Sequence, residues 1–171
     1  MFPIKIKNKA EKVVKLCLKK KIKLAFAESC TGGLLSSLIT SFPNSSKIFS
    51  CGYVTYSNLS KEKMLGIPKK KLKKYGAVSI EIARAMANSA VIKANANIGI
   101  GITGIAGPGG ATRKKKVGEV YVSLCHYKNK KFVQSMDDGL SPHKGTRESI
   151  RLASVNCALN LLLYICTRKT T

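Results

Sequence analysis

The chain has 171 residues, 44% of them hydrophobic, enough for one domain with a real core and too few for a second catalytic domain. No apolar run reaches the ~18 residues of a membrane span, and the N-terminal MFPIKIKNKAEK lacks the apolar segment of a secretory signal, so a cytoplasmic protein without a membrane partner is expected. With 31 Lys plus Arg against 8 Asp plus Glu the net charge is +23; such a field attracts anions, but the lysine runs carry few aromatics to stack bases, so a solvated basic surface with only non-specific nucleic-acid contact is expected.

In chain order, Ala10, Val13, Val14, Cys17 and Leu18 form the apolar stripe of a first helix. The strand IKLAFAE at 22–28 follows and runs into Ser29 and Cys30, after which Leu34, Leu35, Leu38 and Ile39 recur at helical spacing beyond Gly33. A hydroxyl and a thiol thus occupy a strand-to-helix corner, where α/β proteins bind ligands and a helix N-terminus offers unpaired N–H groups. The corner either holds a nucleophile or an anion, or is an ordinary helix start capped by Ser29 or Thr31. FPNSS at 42–46 breaks that helix. CGYVTYS at 51–57 reads as a second strand, with Asn58 as N-cap of a short helix through Leu65 that Gly66 closes. Pro68 and Gly76 frame another short helix. A helix from Ile80 to Ala94, the strand NIGIGIT at 97–103, strands at 117–126 and 131–136, and a helix from Thr146 to Thr167 complete the chain. The expected fold class is α/β: a three-layer α/β/α sandwich around a mixed sheet of about five or six strands, in a single domain spanning residues 1–171.

GIGITG at 99–104 fits G-x-G-x-x-G, but its first glycines lie inside a strand and GPGG rather than a helix follows, so no dinucleotide site is expected. TGIAGPGG at 103–110 instead puts a hydroxyl at a strand end before a loop of small residues that a ligand can approach closely. Lys61 falls in the first turn of the helix capped by Asn58, where the positive helix end disfavours an ammonium and lowers its pKa, as a general base requires. Against that, lysines are almost everywhere in this chain, and Tyr56 also reads as a half-buried strand aromatic. The six cysteines form no C-x-x-C pair, and with only two histidines no zinc pattern arises, so reduced thiols and no metal are expected. His126 lies in a predicted strand and His143 in the loop SPHKGT, neither with an evident triad partner; a Ser-Lys arrangement needs no histidine.

Taken together, AESCTGG at 27–33, VTYSNLSK at 54–61, YGAVS at 75–79, TGIAGPGG at 103–110 and VGEV at 117–120 resemble the C-terminal domain of the competence-damage-inducible protein CinA, in order from about residue 10 to 165. Standalone members of that family are nicotinamide-nucleotide amidases. The resemblance implies metal-independent, cofactor-free hydrolysis of the carboxamide of nicotinamide mononucleotide to nicotinate mononucleotide and ammonia. By motif it puts the nucleophile on Ser29, the tyrosine on Tyr56 and the lysine on Lys61, with Thr103 in the pocket. The substrate-contacting set expected is Thr31, Gly32, Gly33, Asn58, Thr103 and Gly104. The sequence departs from the family where KKVGEV at 115–120 loses a proline and gains Glu119, and where GLSPHKGTRESIR at 139–151 replaces a compact arginine motif while keeping Arg147 and Arg151, the candidates for a phosphate.

The mechanism so implied has Lys61, held neutral and aided by Tyr56, take the Ser29 proton as the hydroxyl attacks the amide carbon. An acyl-enzyme forms, ammonia leaves and water releases the acid, with an oxyanion held by the N–H groups that begin the next helix. The expected partners are a pyridine nucleotide and, as a homo-oligomer, further copies of the chain. The alternatives are a non-enzymatic basic nucleotide- or nucleic-acid-binding protein linked to competence or DNA damage, and a hydrolase using Cys30.

Overall fold

The all-buried run Leu24–Glu28 forms strand β1, the signature of a parallel strand covered on both faces. In the computed structural model, which describes residues 2–140 and 142–168, β1 pairs in parallel with β2 (Phe49–Val54) on one side and β3 (Ile98–Gly104) on the other. Strands β4 (Val120–Lys128) and β5 (Lys131–Leu140) add antiparallel, giving a five-stranded mixed sheet in the order β2-β1-β3-β4-β5.

Helices cover both faces, as the three-layer expectation requires. Leu24 and Phe26 of β1 and Ile98, Ile100 and Ile102 of β3 pack with α1 (Ile4–Lys20), α2 (Leu34–Thr40) and α6 (Arg147–Thr167). The alternate residues Ala25 and Ala27 face α3 (Asn58–Leu65), α4 (Lys69–Tyr75) and α5 (Ile80–Lys93). The glycines of IGIGI belong to this second face. A Cβ on Gly99 or Gly101 would land on the carbonyl oxygens of Ala87 or Ala83, so α5 lies directly against the strand. That packing accounts for the glycine spacing without a dinucleotide.

Among the described residues the six α-helices and five strands match the sequence reading with shifted ends, and one 3-10 turn at Ser45–Lys47 adds to them where a break was expected. Strand β1 starts at Leu24 rather than 22, β2 spans Phe49–Val54 rather than 51–57, β4 starts at Val120 and β5 runs on to Leu140. Asn58 is not the N-cap of α3. Ser57 is, its hydroxyl accepting from Ser60 N–H while Ser60 Oγ accepts from Ser57 N–H, a capping box built with serine at the third helical position.

Helix α6 is long and apolar enough, by length and composition alone, to cross a membrane, which the sequence reading did not anticipate. More than half of that stretch is buried here, and Asn156 and Asn160, which interrupt it, accept hydrogen bonds from Lys9 Nζ of α1 at 2.6 and 2.7 Å.

Candidate active site

Strand order places the carboxyl end of β1 at a switch point. The chain leaves β1 through α2 to β2 on one side, then crosses by α3, α4 and α5 to β3 on the other. A crevice at such a point is where open α/β sheets bind ligands. The residues just past the strand ends therefore converge: Ser29 after β1, Thr55 after β2, Thr103 at the end of β3.

Backbone hydrogen bonds hold that convergence. Ser29 N–H donates to Ile102 O at 3.0 Å and Thr55 N–H to Glu28 O at 2.8 Å, extending both parallel ladders by one residue. The turn then closes with Gly32 N–H on Ser29 O at 3.0 Å and needs left-handed conformations at Gly32 (φ 60°) and Gly33 (φ 89°), which explains the paired glycines.

Lys61 is 1% exposed and Ser29 8%. Lys61 Nζ contacts Ser29 Oγ at 3.1 Å and donates to Thr55 O at 2.7 Å. Among the described residues no carboxylate pairs with Lys61, and burial pushes its pKa down to about 8. The residue is the fourth of α3, since Ser57 is the cap, and its own N–H closes the first turn on Ser57 O at 3.2 Å. Desolvation, not the helix end invoked from sequence, dominates the shift.

Cys30, adjacent to Ser29, is a different group. It is buried, and its thiol is pushed up to about 11, first by desolvation. At neutral pH it is protonated and a poor nucleophile. All six cysteines are free thiols, and among the described residues no cluster of His, Cys, Asp and Glu could hold a metal ion. His126 pairs with Ile98 at the start of β3, the opposite end of the sheet from Ser29. His143 is exposed and meets Gly118 through its backbone.

Several expected site residues have other partners. Tyr56 lies beyond β2 and is 60% exposed; its hydroxyl accepts from Arg147 Nη2 at 2.8 Å and makes no hydrogen bond to Lys61 or Ser29. Thr103 Oγ1 donates to Ala77 O at 2.7 Å, tying β3 to the segment before α5. Gly104 is a packing glycine: a Cβ there would meet Val120 Cγ2 at 2.6 Å and Glu119 O at 2.7 Å. Asn58 is exposed on the first turn of α3. Neither Ser29 nor Thr31 caps α2, whose N-cap is Gly33 with no side-chain bond. Thr31 is fully buried with its Oγ1 unpartnered among the described residues.

Two groups organise the corner: Glu28, to which the sequence reading gave no role, and Arg147 with Arg151, which it offered only as candidates for a phosphate. Glu28 fills the start of α2: Oε2 accepts from Leu35 N–H at 3.1 Å, and Oε1 from Ser36 N–H at 2.9 Å and Ser36 Oγ at 2.7 Å. The helix amides expected to hold an oxyanion are therefore occupied. In the corner, the amides of Cys30, Thr31 and Gly33 lack an oxygen partner among the described residues. Arg147 and Arg151, one turn apart on α6, are clamps. Arg147 Nη1 donates to Gly107 O at 2.6 Å while its Nη2 holds Tyr56, and Arg151 Nη2 donates to Thr31 O at 2.7 Å. With Phe2, Leu34, Glu148 and Leu152 they line a cavity of about 430 Å³ beside the corner. Glu119 takes hydrogen bonds from Lys115 Nζ at 2.8 Å and Tyr121 OH at 2.6 Å, anchoring the basic loop before β4.

The comparisons with known proteins agree with this architecture. The family described as CinA C-terminal domain matches residues 6–166. The chain is 44% identical over 157 residues to a CinA-like protein of Prochlorococcus marinus, covering 90% of this chain and 35% of that one; it spans about a third of the length of the curated relatives it matches. It is also similar to the solved structure of a competence/damage inducible protein from Agrobacterium tumefaciens, at 34% identity and a TM-score of 0.91, covering 96% of this chain and 98% of that one. A CinA superfamily protein from Escherichia coli aligns at 31% identity with a TM-score of 0.85, over 94% of this chain and 90% of that one. From the match over nearly its whole length, the chain belongs to the CinA C-terminal domain family.

Proposed function

We propose that this domain is an amidohydrolase that removes ammonia from the carboxamide of nicotinamide mononucleotide, with Ser29 as nucleophile and Lys61 as base. The observation that carries the reading is the buried contact of 3.1 Å between Lys61 Nζ and Ser29 Oγ, with Lys61 unpaired by any carboxylate among the described residues. An amine so desolvated spends much of its time neutral near pH 8. In that form the contact reverses: the Ser29 hydroxyl donates to the Nζ lone pair while an Nζ–H keeps its bond to Thr55 O.

In the forward step Ser29 Oγ attacks the amide carbon and its proton passes to Lys61 Nζ. The ammonium returns the proton to the departing amide nitrogen, ammonia leaves and the acyl group remains on Ser29 as an ester. Water then attacks the ester, with Lys61 again taking the proton, and the acid is released. Donors to the tetrahedral oxyanion come from the turn, where the amides of Thr31 and Gly33 have no oxygen acceptor among the described residues and that of Cys30 meets its own thiol; each such donor typically contributes about 2.7 to 4 kcal/mol. Tyr56 sits at the exposed edge, oriented by Arg147, as a substrate contact and not a proton relay. Arg147 uses two of its five N–H donors and Arg151 one, so the arginine-lined cavity retains capacity for the phosphate.

The test is ammonia release by chelator-treated protein from nicotinamide mononucleotide, nicotinamide riboside and free nicotinamide. The mononucleotide should be preferred, less so as salt rises. A folded protein that releases ammonia from none of the three, yet binds DNA tightly at physiological salt, would favour a basic binding protein.

A further inference from the structure

A stable helix start needs no buried charge, yet α2 has one. Its N-cap is Gly33, which provides no side-chain acceptor, and the capping is done from a distance by Glu28, wholly buried at the end of β1. Among the described residues no Lys, Arg or His forms an ion pair with Glu28, and its carboxylate rests on Leu35 N–H, Ser36 N–H and Ser36 Oγ. Desolvating a carboxylate is costly even with a helix N-terminus opposite it, and the half-buried, left-handed Gly33 (φ 89°) disfavours a side-chain cap of its own. Capping is thus one reason for Glu28, obtained at the cost of a buried carboxylate.

Its neighbours in the chain and in space give a better one. Residues 28 and 29 are gripped three ways: Glu28 O takes Thr55 N–H, Ser29 N–H is on Ile102 O, and the Glu28 side chain holds the first turn of α2. Thr55 in turn offers its carbonyl to Lys61 Nζ, which contacts Ser29 Oγ. The contacts close a ring from Glu28 through Thr55 and Lys61 to Ser29. Beside that ring the carboxylate ties the end of β1 directly to the first turn of α2, across the turn carrying the nucleophile, while Arg151 holds the turn at Thr31 O from α6.

We propose that Glu28 is a positioning residue for the serine. Pinning α2 to the end of β1 fixes the Ser29–Gly33 turn so that Oγ stays within reach of Lys61. Occupying the helix amides also leaves substrate to the turn amides. The inference rests on the Ser29–Lys61 reading, and its test is built to fail separately from it.

Wild type, Glu28→Gln, Glu28→Ala and Ser36→Ala are compared for thermal unfolding, for the rate of Ser29 labelling by a fluorophosphonate reagent per folded molecule, and for kcat and KM of ammonia release. Ser29→Ala defines the background of labelling. Glu28→Gln keeps one carbonyl acceptor but turns an NH₂ toward an N–H donor. It should fold and label at least tenfold more slowly, with kcat reduced in parallel and KM within about twofold. Glu28→Ala should be slower still, and Ser36→Ala, which removes one of the carboxylate's hydrogen bonds, should label about threefold more slowly even if both Glu28 variants fail to fold. Wild-type labelling rates in folded Glu28→Gln, or in Ser36→Ala, would overturn the inference. Ser29 labelling in wild type without ammonia from any nicotinamide compound would instead remove the amidase reading and leave the positioning role to the labelling ratios.

Discussion

Lys61 Nζ and Ser29 Oγ meet at 3.1 Å across 32 residues of sequence. Two features of the fold produce the encounter: parallel pairing of β1 and β2 brings Thr55 beside Glu28, and the Ser57 capping box starts α3 so that its fourth residue turns inward. The lysine reaches past Thr55 O, which holds one of its protons, and is left with a serine as its other partner. A lysine kept for stability would find a carboxylate or solvent; this one has neither.

The first prediction separates the adjacent hydroxyl and thiol. Ser29→Ala should lose at least a thousandfold in ammonia release with folding intact, whereas Cys30→Ser should stay within about fivefold of wild type, because burial holds the Cys30 thiol near 11 and protonated. Rates of ammonia release beside circular dichroism of each variant decide it. An inactive Cys30→Ser with an active Ser29→Ala would move the nucleophile to sulfur.

A second prediction concerns the base. kcat/KM should rise with pH through an apparent pKa of about 8, the value to which burial lowers Lys61, and not near the ordinary lysine value of about 10.4. Lys61→Arg should be nearly as inactive as Lys61→Met, since a guanidinium cannot give up its proton. An arginine variant with a tenth or more of wild-type activity would remove Lys61 from this role.

The same shift sets a pH dependence of stability. Lys61 has a lower pKa folded, about 8, than unfolded, about 10.4. Between those values the unfolded chain binds a proton that the folded chain does not, so wild-type stability falls as pH drops from about 10 to about 8 and the loss is constant below that. Lys61→Met lacks this term. Its stability relative to wild type should improve over the same interval, by on the order of 3 kcal/mol in all, offset by the orphaned Thr55 carbonyl. Urea unfolding between pH 7 and pH 10.5 measures it, and a stability difference that does not change with pH would refute it.

Tyr56 and Arg147 should behave as a pair. Because the Tyr56 hydroxyl bonds to Arg147 and not to Lys61, Tyr56→Phe should leave the acid limb of the pH profile in place. Arg147→Ala frees both Tyr56 and Gly107 and should raise KM about tenfold, the effect of one or two lost hydrogen bonds to a charged group. A shift of the acid limb in Tyr56→Phe would restore the tyrosine as a proton relay.

Much of this was legible in the chain because local chemistry dictated it. The apolar run before Glu28 read as a buried strand, the two glycines after it as a turn, and the glycines of GIGITG as strand residues rather than a dinucleotide loop; the left-handed conformations at Gly32 and Gly33 and the close approach of α5 at Gly99 and Gly101 emerged with the fold. The capping of α3 was misread because Asn58 and Ser57 are both good caps, and the choice fell to a serine at the third helical position, where a glutamate is the usual signal. Glu28 could not be read as a cap at all. It acts seven and eight residues ahead through the folded turn, and a single acidic residue at a strand end carries no local signal of that. Tyr56 was placed beside Lys61 by motif, whereas its partner Arg147 comes from a helix 91 residues away.

An acyl group on Ser29 is the most direct mark of this chemistry. Intact-protein and peptide mass spectrometry of an acid-quenched reaction with nicotinamide mononucleotide should find nicotinate mononucleotide esterified to the peptide containing Ser29 in wild type, with none on Ser29→Ala and turnover lost. An adduct on Cys30, or sustained ammonia release by Ser29→Ala, would contradict it.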